Sequence, residues 1–321
     1  MDPASAAIAA AAAFQQVLAN NFPARAAAIA GEIQAAGGPL LIGLQEAAQI
    51  SGPGAPSLDY AQILLDQLKT LGLNYTIVGS HTGTTVALAG FSETDRDIVL
   101  ARTGVPGFTA TGQGYDFKPE HQVPVPTPVF GTITDKRGYV LVDATLDGVP
   151  FQFVSTHLDP FHTPLQPLQA DDILAALSGS TEPQLVVGDF NANDSEQTYK
   201  EMINAGFVDV AAALGVNGAT CCQAPDLSNS VSELFKRYDY IFERGFSSIE
   251  SAFLIGNTHF EEVPPLWPSD HAGVVATVAV ATAVAVPEPS SAGILVVSML
   301  LLLPIVGFGV RARQRARYAA F

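Results

Sequence analysis

The stretch Leu185-Val186-Val187-Gly188-Asp189-Phe190-Asn191 combines an apolar, β-branched run with a carboxylate and an amide placed directly after a glycine. Such a run reads as a buried strand that delivers Asp189 and Asn191 to the rim of a sheet. Taken alone it more often marks just a turn, because Asp and Asn readily bond their own backbone after a strand. Four further stretches repeat the pattern in order. Glu46 follows the apolar residues 40–44, and His157 follows Ser155-Thr156 at the end of another apolar run. Asp239 lies in the aromatic Arg237-Tyr238-Asp239-Tyr240-Ile241-Phe242, and Asp270 and His271 come just before the Val/Ala-rich residues 274–280.

Together these side chains carry the parts of an in-line phosphoester hydrolysis. Glu46 and Asp270 are hard oxygen donors suited to Mg²⁺ or Mn²⁺, with Ca²⁺ also compatible. Such an ion clamps a phosphoryl oxygen and stabilises charge building on phosphorus and the leaving oxygen. Asp189 and Asn191 would orient the attacking water. His157 would hydrogen-bond a phosphoryl oxygen or protonate the leaving group. His271 needs a carboxylate to fix its tautomer, and Asp239 is the natural candidate.

The elements that must position these groups follow from punctuation and periodicity. The alanine-rich start reads as helix, and a second helix opens near Pro23 and stops at Gly37-Gly38. Residues 40–44 read as a buried strand. Ser57 is placed to cap a helix through Ile63, Leu64 and Leu68 to Gly72. Strands are expected at 75–78, 84–89 and 97–102, and residues 103–128, rich in Gly, Pro and Thr, read as a long surface excursion. Asp147-Gly148 between 139–146 and 149–156 is a hairpin turn signal. A helix near 168–177 leads to the strand ending at Asp189, and Ser195 can cap the helix through Met202.

Composition sets outer limits. The chain has 321 residues, 48% of them hydrophobic, with no internal repeat, and can bury one large α/β core. Its formal charge is −16, but Arg311, Arg313, Arg315 and Arg317 stand in the last eleven residues, and removing their four charges leaves −20 for the rest. That field argues against tight, non-specific nucleic-acid binding through a basic surface, and not against an enzyme that holds a phosphodiester through a metal. Cys221 and Cys222 are adjacent and read as two half-buried thiols, with no His or Cys at zinc-like spacing. His81, His121, His162 and His259 read as surface or hydrogen-bonded histidines. Arg96 and Arg102 read as phosphate contacts or structural ion pairs, and Trp267 as a substrate contact or a loop anchor.

The ordered set Leu44-Gln45-Glu46, Thr156-His157-Leu158, Gly188-Asp189-Phe190-Asn191, Tyr238-Asp239-Tyr240 and Ser269-Asp270-His271 resembles the endonuclease/exonuclease/phosphatase superfamily over residues from about 20 to 281. The resemblance implies a four-layered α/β/β/α sandwich of two packed, mainly antiparallel sheets with divalent-metal phosphoesterase activity. It makes residues 1–283 the catalytic domain. Members of the superfamily usually open with a strand ending in an Asn that helps form the metal site. That first strand is missing before Glu46, and Asn20 and Asn21 lie in helix-like surroundings.

Residues 284–321 resemble a second pattern, the PEP-CTERM sorting signal. Val286-Pro287-Glu288-Pro289 precedes an uncharged run at 292–310 and the arginines. As a helix that run spans about 28 Å, roughly a bilayer core, so a C-terminal membrane helix is expected. The resemblance implies transient anchoring in the inner membrane, cleavage near the Pro-Glu-Pro by an exosortase, and a catalytic domain exported to the cell surface or beyond. The usual export signal is not seen at the other end. Both losses at one end lead to the expectation that Met1 is not the biological start.

The leading expectation is a secreted, monomeric, metal-dependent phosphodiesterase acting on extracellular nucleic acid. Two alternatives stand beside it: a sphingomyelinase-like enzyme acting on a phospholipid headgroup, and a catalytically inactive surface or matrix binding domain.

Overall fold

The computed structural model describes residues 3–127, 131–262, 264–280 and 293–301. Helices α1 (Pro3–Ala19) and α2 (Phe22–Ala35) lead into strand β1 (Leu41–Gln45). Helix α3 (Tyr60–Thr70) is capped by Asp59, whose carboxylate accepts the Gln62 N–H at 3.1 Å, so the cap falls two residues beyond Ser57. Strands β2 (Tyr75–Leu88) and β3 (Phe91–Arg102) form one long hairpin in place of three short strands. Then come β4 (Phe108–Asp116), β5 (Gly138–Leu146), β6 (Val149–His157) and α4 (Leu165–Leu177). The chain continues through β7 (Gln184–Asp189), α5 (Gln197–Asn204), β8 (Asp239–Arg244), β9 (Ser248–Ile255), β10 (Gly273–Ala279) and β11 (Gly293–Leu301).

Among the described residues these strands make two large sheets. The first runs β9-β10-β11-β1-β3, extended by Gln49–Ser51 and Leu58–Asp59, with β2 also on β3. The second runs Val208–Asp209, β8, β7, β6, β5, β4. Pairing is antiparallel except at β1–β11 and β6–β7. Strand alternation then builds the layers. On β1, Ile42 and Leu44 pack with Phe22, Ile29 and Leu64 of the helices, whereas Leu41 faces a second core shared with Val142, Phe153, Leu185 and Val187. On β7, Val186 points the other way, to Ile173 and Leu177 of α4 and Met202 of α5. The order is therefore helices, sheet, sheet, helices, the four-layered α/β/β/α sandwich expected.

Two further local expectations are corrected. Residues 103–128 are not an irregular excursion: β4 pairs along the whole of β5, and Val123–Thr127 pairs with Gly131–Asp135. Gly112 and Gly114 interrupt the alternation of β4, and pairing to a ready strand edge overrides that weak local signal. Ser195 does not cap α5. Glu196 holds the cap position without a side-chain bond to the helix, its carboxylate accepting the Asn193 N–H at 2.6 Å, and the Ser195 N–H donates to Asn193 Oδ1.

In the tail, the membrane helix expected over 292–310 is not shown. Gly293–Leu301, part of the run expected as a membrane helix over 292–310, is a strand here, parallel to β1 and antiparallel to β10. It lies between β10 and β1 in the first sheet. A short aliphatic run is ambiguous between helix and strand, and two unpaired strand edges decide it by offering hydrogen bonds on both sides. Residues 284–292 and 302–321, including the Pro-Glu-Pro and the arginines, lie outside the described residues. Among the described residues no helix is long and apolar enough to cross a membrane.

Candidate active site

Register alone aligns half of the site. In the second sheet His157 on β6 pairs with Asp189 on β7, and Asp189 pairs with Asp239 on β8, so three chemical side chains form one row across three strand ends. The first sheet contributes Glu46 just after β1 and Asp270-His271 just before β10. Two contacts hold the facing sheets in place. The Gln45 amide donates to Ser155 Oγ at 2.8 Å, and at Gly43 a Cβ would lie 2.6 Å from that same oxygen and 3.0 Å from Val187 Cγ2. Only glycine lets the sheets approach so closely there.

The Gly-Asp-x-Asn tetrad owes its form to the same crowding. Gly188 has φ 143°, and a Cβ on it would run into the Thr156 carbonyl of the neighbouring strand. Asn191 takes left-handed backbone at φ 47°, donates its N–H to Asp189 Oδ1 at 2.7 Å and its Nδ2 to the Leu158 carbonyl at 3.0 Å. The turn reading and the site reading are therefore both true, since the turn fixes the carboxylate and the amide. Glu46 also has positive φ, 52°, which is uncommon for a residue of its length and marks a position overdetermined by its surroundings.

Electrostatically the site is a crowded, buried cluster of acids around one imidazole. His271 Nδ1 donates to Asp239 Oδ2 at 2.8 Å. Burial disfavours the imidazolium, but Asp239, with Asp189 and Asp270 behind it, outweighs that and raises His271 to about 10. Asp189 is pushed up to about 8, first by burial and then by Asp239 and Glu46, against the pull of His271 and the Asn191 N–H. His157 receives Arg137 Nη1 on its Nδ1 at 2.8 Å, so its ring keeps a proton on Nε2, which lies 3.7 Å from Asp189 Oδ2. Arg25 on α2 is fully buried, donates to the Pro268 carbonyl at 2.9 Å and sets a positive charge near Asp270.

The donor set fits a hard cation. Glu46, Asp189, Asp239 and Asp270 are all at most 8% exposed, and the buried Oδ1 of Asp239 has no hydrogen-bond partner among the described residues. Buried carboxylate oxygens of this kind suit Mg²⁺, Mn²⁺ or Ca²⁺. Among the described residues, Asp189, Asp239 and His271 have donor atoms within 4.8 Å of one another, and neither Glu46 nor Asp270, the pair expected to hold the metal, is part of so close a group.

Two features were missed. Arg137, in Lys136-Arg137-Gly138, has no spacing that ties it to His157; only the β5–β6 pairing does. Cys221 and Cys222, expected as separate thiols without a His nearby, are instead joined in a disulfide, with Cys222 Sγ 3.5 Å from His271 Nε2. The remaining candidates have structural partners. Arg96 pairs with Asp59 and Arg102 bonds the Gly37 and Gly38 carbonyls. His81 sits between Asp97 and Asp116, His121 pairs with Asp172, and His162 pairs with Asp159. Trp267 is buried, donates to the Asn229 carbonyl at 2.7 Å and meets His259 edge to face, which makes it a loop anchor.

Similarity to solved structures supports the architecture. An endonuclease/exonuclease/phosphatase family protein from Bacteroides thetaiotaomicron is 20% identical with a TM-score of 0.55, covering 78% of this chain and 87% of its own. A mannosyl-6-phosphatase from the same organism is 20% identical with a TM-score of 0.54, covering 78% and 89%. A humanized D. rerio TDP2 is 18% identical with a TM-score of 0.52, covering 81% and 93%. These likenesses show the fold. No match was found among curated proteins. The sequence profile of the Endonuclease/Exonuclease/phosphatase family matches residues 17–271, most of the chain and every candidate site residue. The chain belongs to the endonuclease/exonuclease/phosphatase family, whose members cleave phosphoester bonds.

Proposed function

We propose that this protein is an exported, monomeric, divalent-metal-dependent phosphodiesterase, with extracellular DNA or RNA as its substrate. The observation that supports it most is the convergence of His157, Asp189 and Asp239, from one sheet, with Glu46, Asp270 and His271 from the other. Glu46 and Asp270 are the residues assigned to hold Mg²⁺ or Mn²⁺. Bound there, the ion would neutralise phosphoryl charge.

The protein's own groups divide the remaining work. Asp189, held near neutral pH by burial and its acidic neighbours, takes a proton from the attacking water, and Asn191 helps orient that water. His157, neutral with its proton on Nε2, donates to a phosphoryl oxygen. His271, kept as imidazolium by Asp239, holds the charge that grows as the phosphoryl group is attacked.

Residues 284–321 are read as a sorting tail, inserted in the inner membrane as a helix and cut by an exosortase near 287–289. The strand form of Gly293–Leu301 and the membrane form are then alternative uses of one aliphatic segment.

Turnover of bis-p-nitrophenyl phosphate, plasmid DNA and sphingomyelin by the purified protein, with Mg²⁺ and with chelator, tests the activity. Metal-dependent cleavage of the first two is expected. Cleavage of sphingomyelin alone selects the phospholipid reading, and no turnover of any substrate at saturating metal refutes the enzyme.

A further inference from the structure

The segment Thr220–Gln223 is clamped against the active site from both sides. Thr220 N and Cys221 N donate to the Lys236 carbonyl, Ala272 N donates to the Thr220 carbonyl, and Gln223 N donates to the Asp270 carbonyl, each at 2.8 Å. Cys221 makes isolated bridges to both Lys236 and His271. The Thr220 hydroxyl in turn accepts the N–H groups of Tyr238 and Asp239. This backbone frame sets the two sulfurs beside the ring edge of His271 that Asp239 leaves open. Nδ1 of His271 is committed to Asp239, and Nε2 lies 3.5 Å from Cys222 Sγ. The donor atoms of Cys221, Cys222 and His271 all lie within 4.8 Å of one another.

We infer that Cys221, Cys222 and His271 form a second, thiophilic metal site that opens when the Cys221–Cys222 disulfide is reduced and that silences hydrolysis when filled. The donor chemistry separates it from the acidic cluster. Two thiolates and an imidazole select zinc-like ions, whereas carboxylates select Mg²⁺. One ligand pair already stands at the required spacing, and the two sulfurs must part once their bond is reduced. Sulfur and nitrogen ligands of one tetrahedral zinc stand about 3.6 Å apart, given metal bonds of about 2.3 and about 2.0–2.1 Å, and Cys222 Sγ and His271 Nε2 are at 3.5 Å. Half-exposed Cys222 gives a reductant access, while Cys221 and His271 are buried.

The chemistry balances. A small dithiol gives two electrons and two protons to the Cys221–Cys222 bond and leaves as its own disulfide. Both cysteine thiols and Nε2 of the His271 imidazolium then release their protons to solvent as the ion binds, while Nδ1 keeps its proton on Asp239. With Nε2 of His271 coordinated, the ring no longer reaches substrate. This silencing rests on the substrate-facing role proposed for His271, whereas the metal site does not.

The test uses the purified full chain, reduced with a dithiol and desalted without oxygen, and titrated with Cd²⁺ as an optical probe in the presence of Mg²⁺. One Cd²⁺ per chain is expected in the reduced protein, with a thiolate-to-metal charge-transfer band in the ultraviolet and parallel loss of bis-p-nitrophenyl phosphate hydrolysis. The oxidised protein should show neither. Cys222→Ser should keep basal hydrolysis and bind the probe on the order of 100-fold or more weaker, since loss even of a group supporting a ligand weakens metal binding by about 10–100-fold. Absence of the band in reduced protein overturns the site. Equal inhibition of oxidised protein or of Cys222→Ser also overturns it, because the ion would then act among the carboxylates. Binding without inhibition removes the silencing and leaves the site. If the parent hydrolyses nothing, the optical titration still decides the site, and the phosphoesterase reading alone falls.

Discussion

Replacing Arg137 by methionine tests how the buried charge network supports His157. The Arg137 side chain is 8% exposed, donates Nε to Asp135 at 3.1 Å and Nη1 to His157 at 2.8 Å. Burial opposes its charge, but Asp135, Asp95, Glu46 and Asp159 surround it and raise its pKa above the ordinary arginine value. Methionine of similar length removes both bonds and leaves those acids without their cation. Breaking a buried ion pair costs about 3–5 kcal/mol. The Asp135 side chain is 15% exposed and regains some water, so the lower end, about 3 kcal/mol, is expected. At roughly 2–4 °C per kcal/mol for a domain of this size, the melting temperature should fall by about 6–12 °C. Arg137→Lys restores the charge but not the planar fork that serves Asp135 and His157 together. It should recover much of the stability and little of the turnover. Urea unfolding and kcat/KM on bis-p-nitrophenyl phosphate measure the two effects. A methionine variant within about 1 kcal/mol of the parent, or a lysine variant that regains full turnover, would refute the reasoning.

Asp189→Asn and His271→Ala should each lose on the order of 100-fold or more in turnover with the fold intact by circular dichroism; near-parent rates at saturating metal would sink the assignment. Gly43→Ala places a methyl 2.6 Å from Ser155 Oγ and should destabilise by about 1–3 kcal/mol, and an unchanged unfolding midpoint would show that the sheets can part there. His81 is net raised: burial lowers its pKa, and the bonds to Asp97 and Asp116 more than reverse this. Its contribution is therefore fully present below the unfolded value of about 6.5 and fades as pH rises through the folded pKa. The stability gap between the parent and His81→Gln should shrink with rising pH in thermal melts, and a gap that widens would contradict this. Protein recovered from outside the producing cell should end near 287–289 by intact mass, and a mature form still carrying Arg317 would defeat the processing.

The order and the strand-end placement of the candidate site residues were legible in the sequence because strand ends are local features. An apolar run stopped by Gly188, or the Asp147-Gly148 turn feeding the strand that ends at His157, needs no distant partner to be read. The same locality placed Glu46, Asp239, Asp270 and His271 at sheet rims, whereas the two packed sheets were implied only by the family resemblance. Tertiary structure decided what local pattern leaves open. Arg137 reaches His157, and Cys222 reaches His271 from 49 residues away, only because strand pairing and a clamped loop bring them together. The glycine-broken β4 and the aliphatic Gly293–Leu301 carry signals too weak or too ambiguous to choose a conformation. Each became a strand because an unpaired sheet edge supplied backbone hydrogen bonds that the segment's own sequence could not specify.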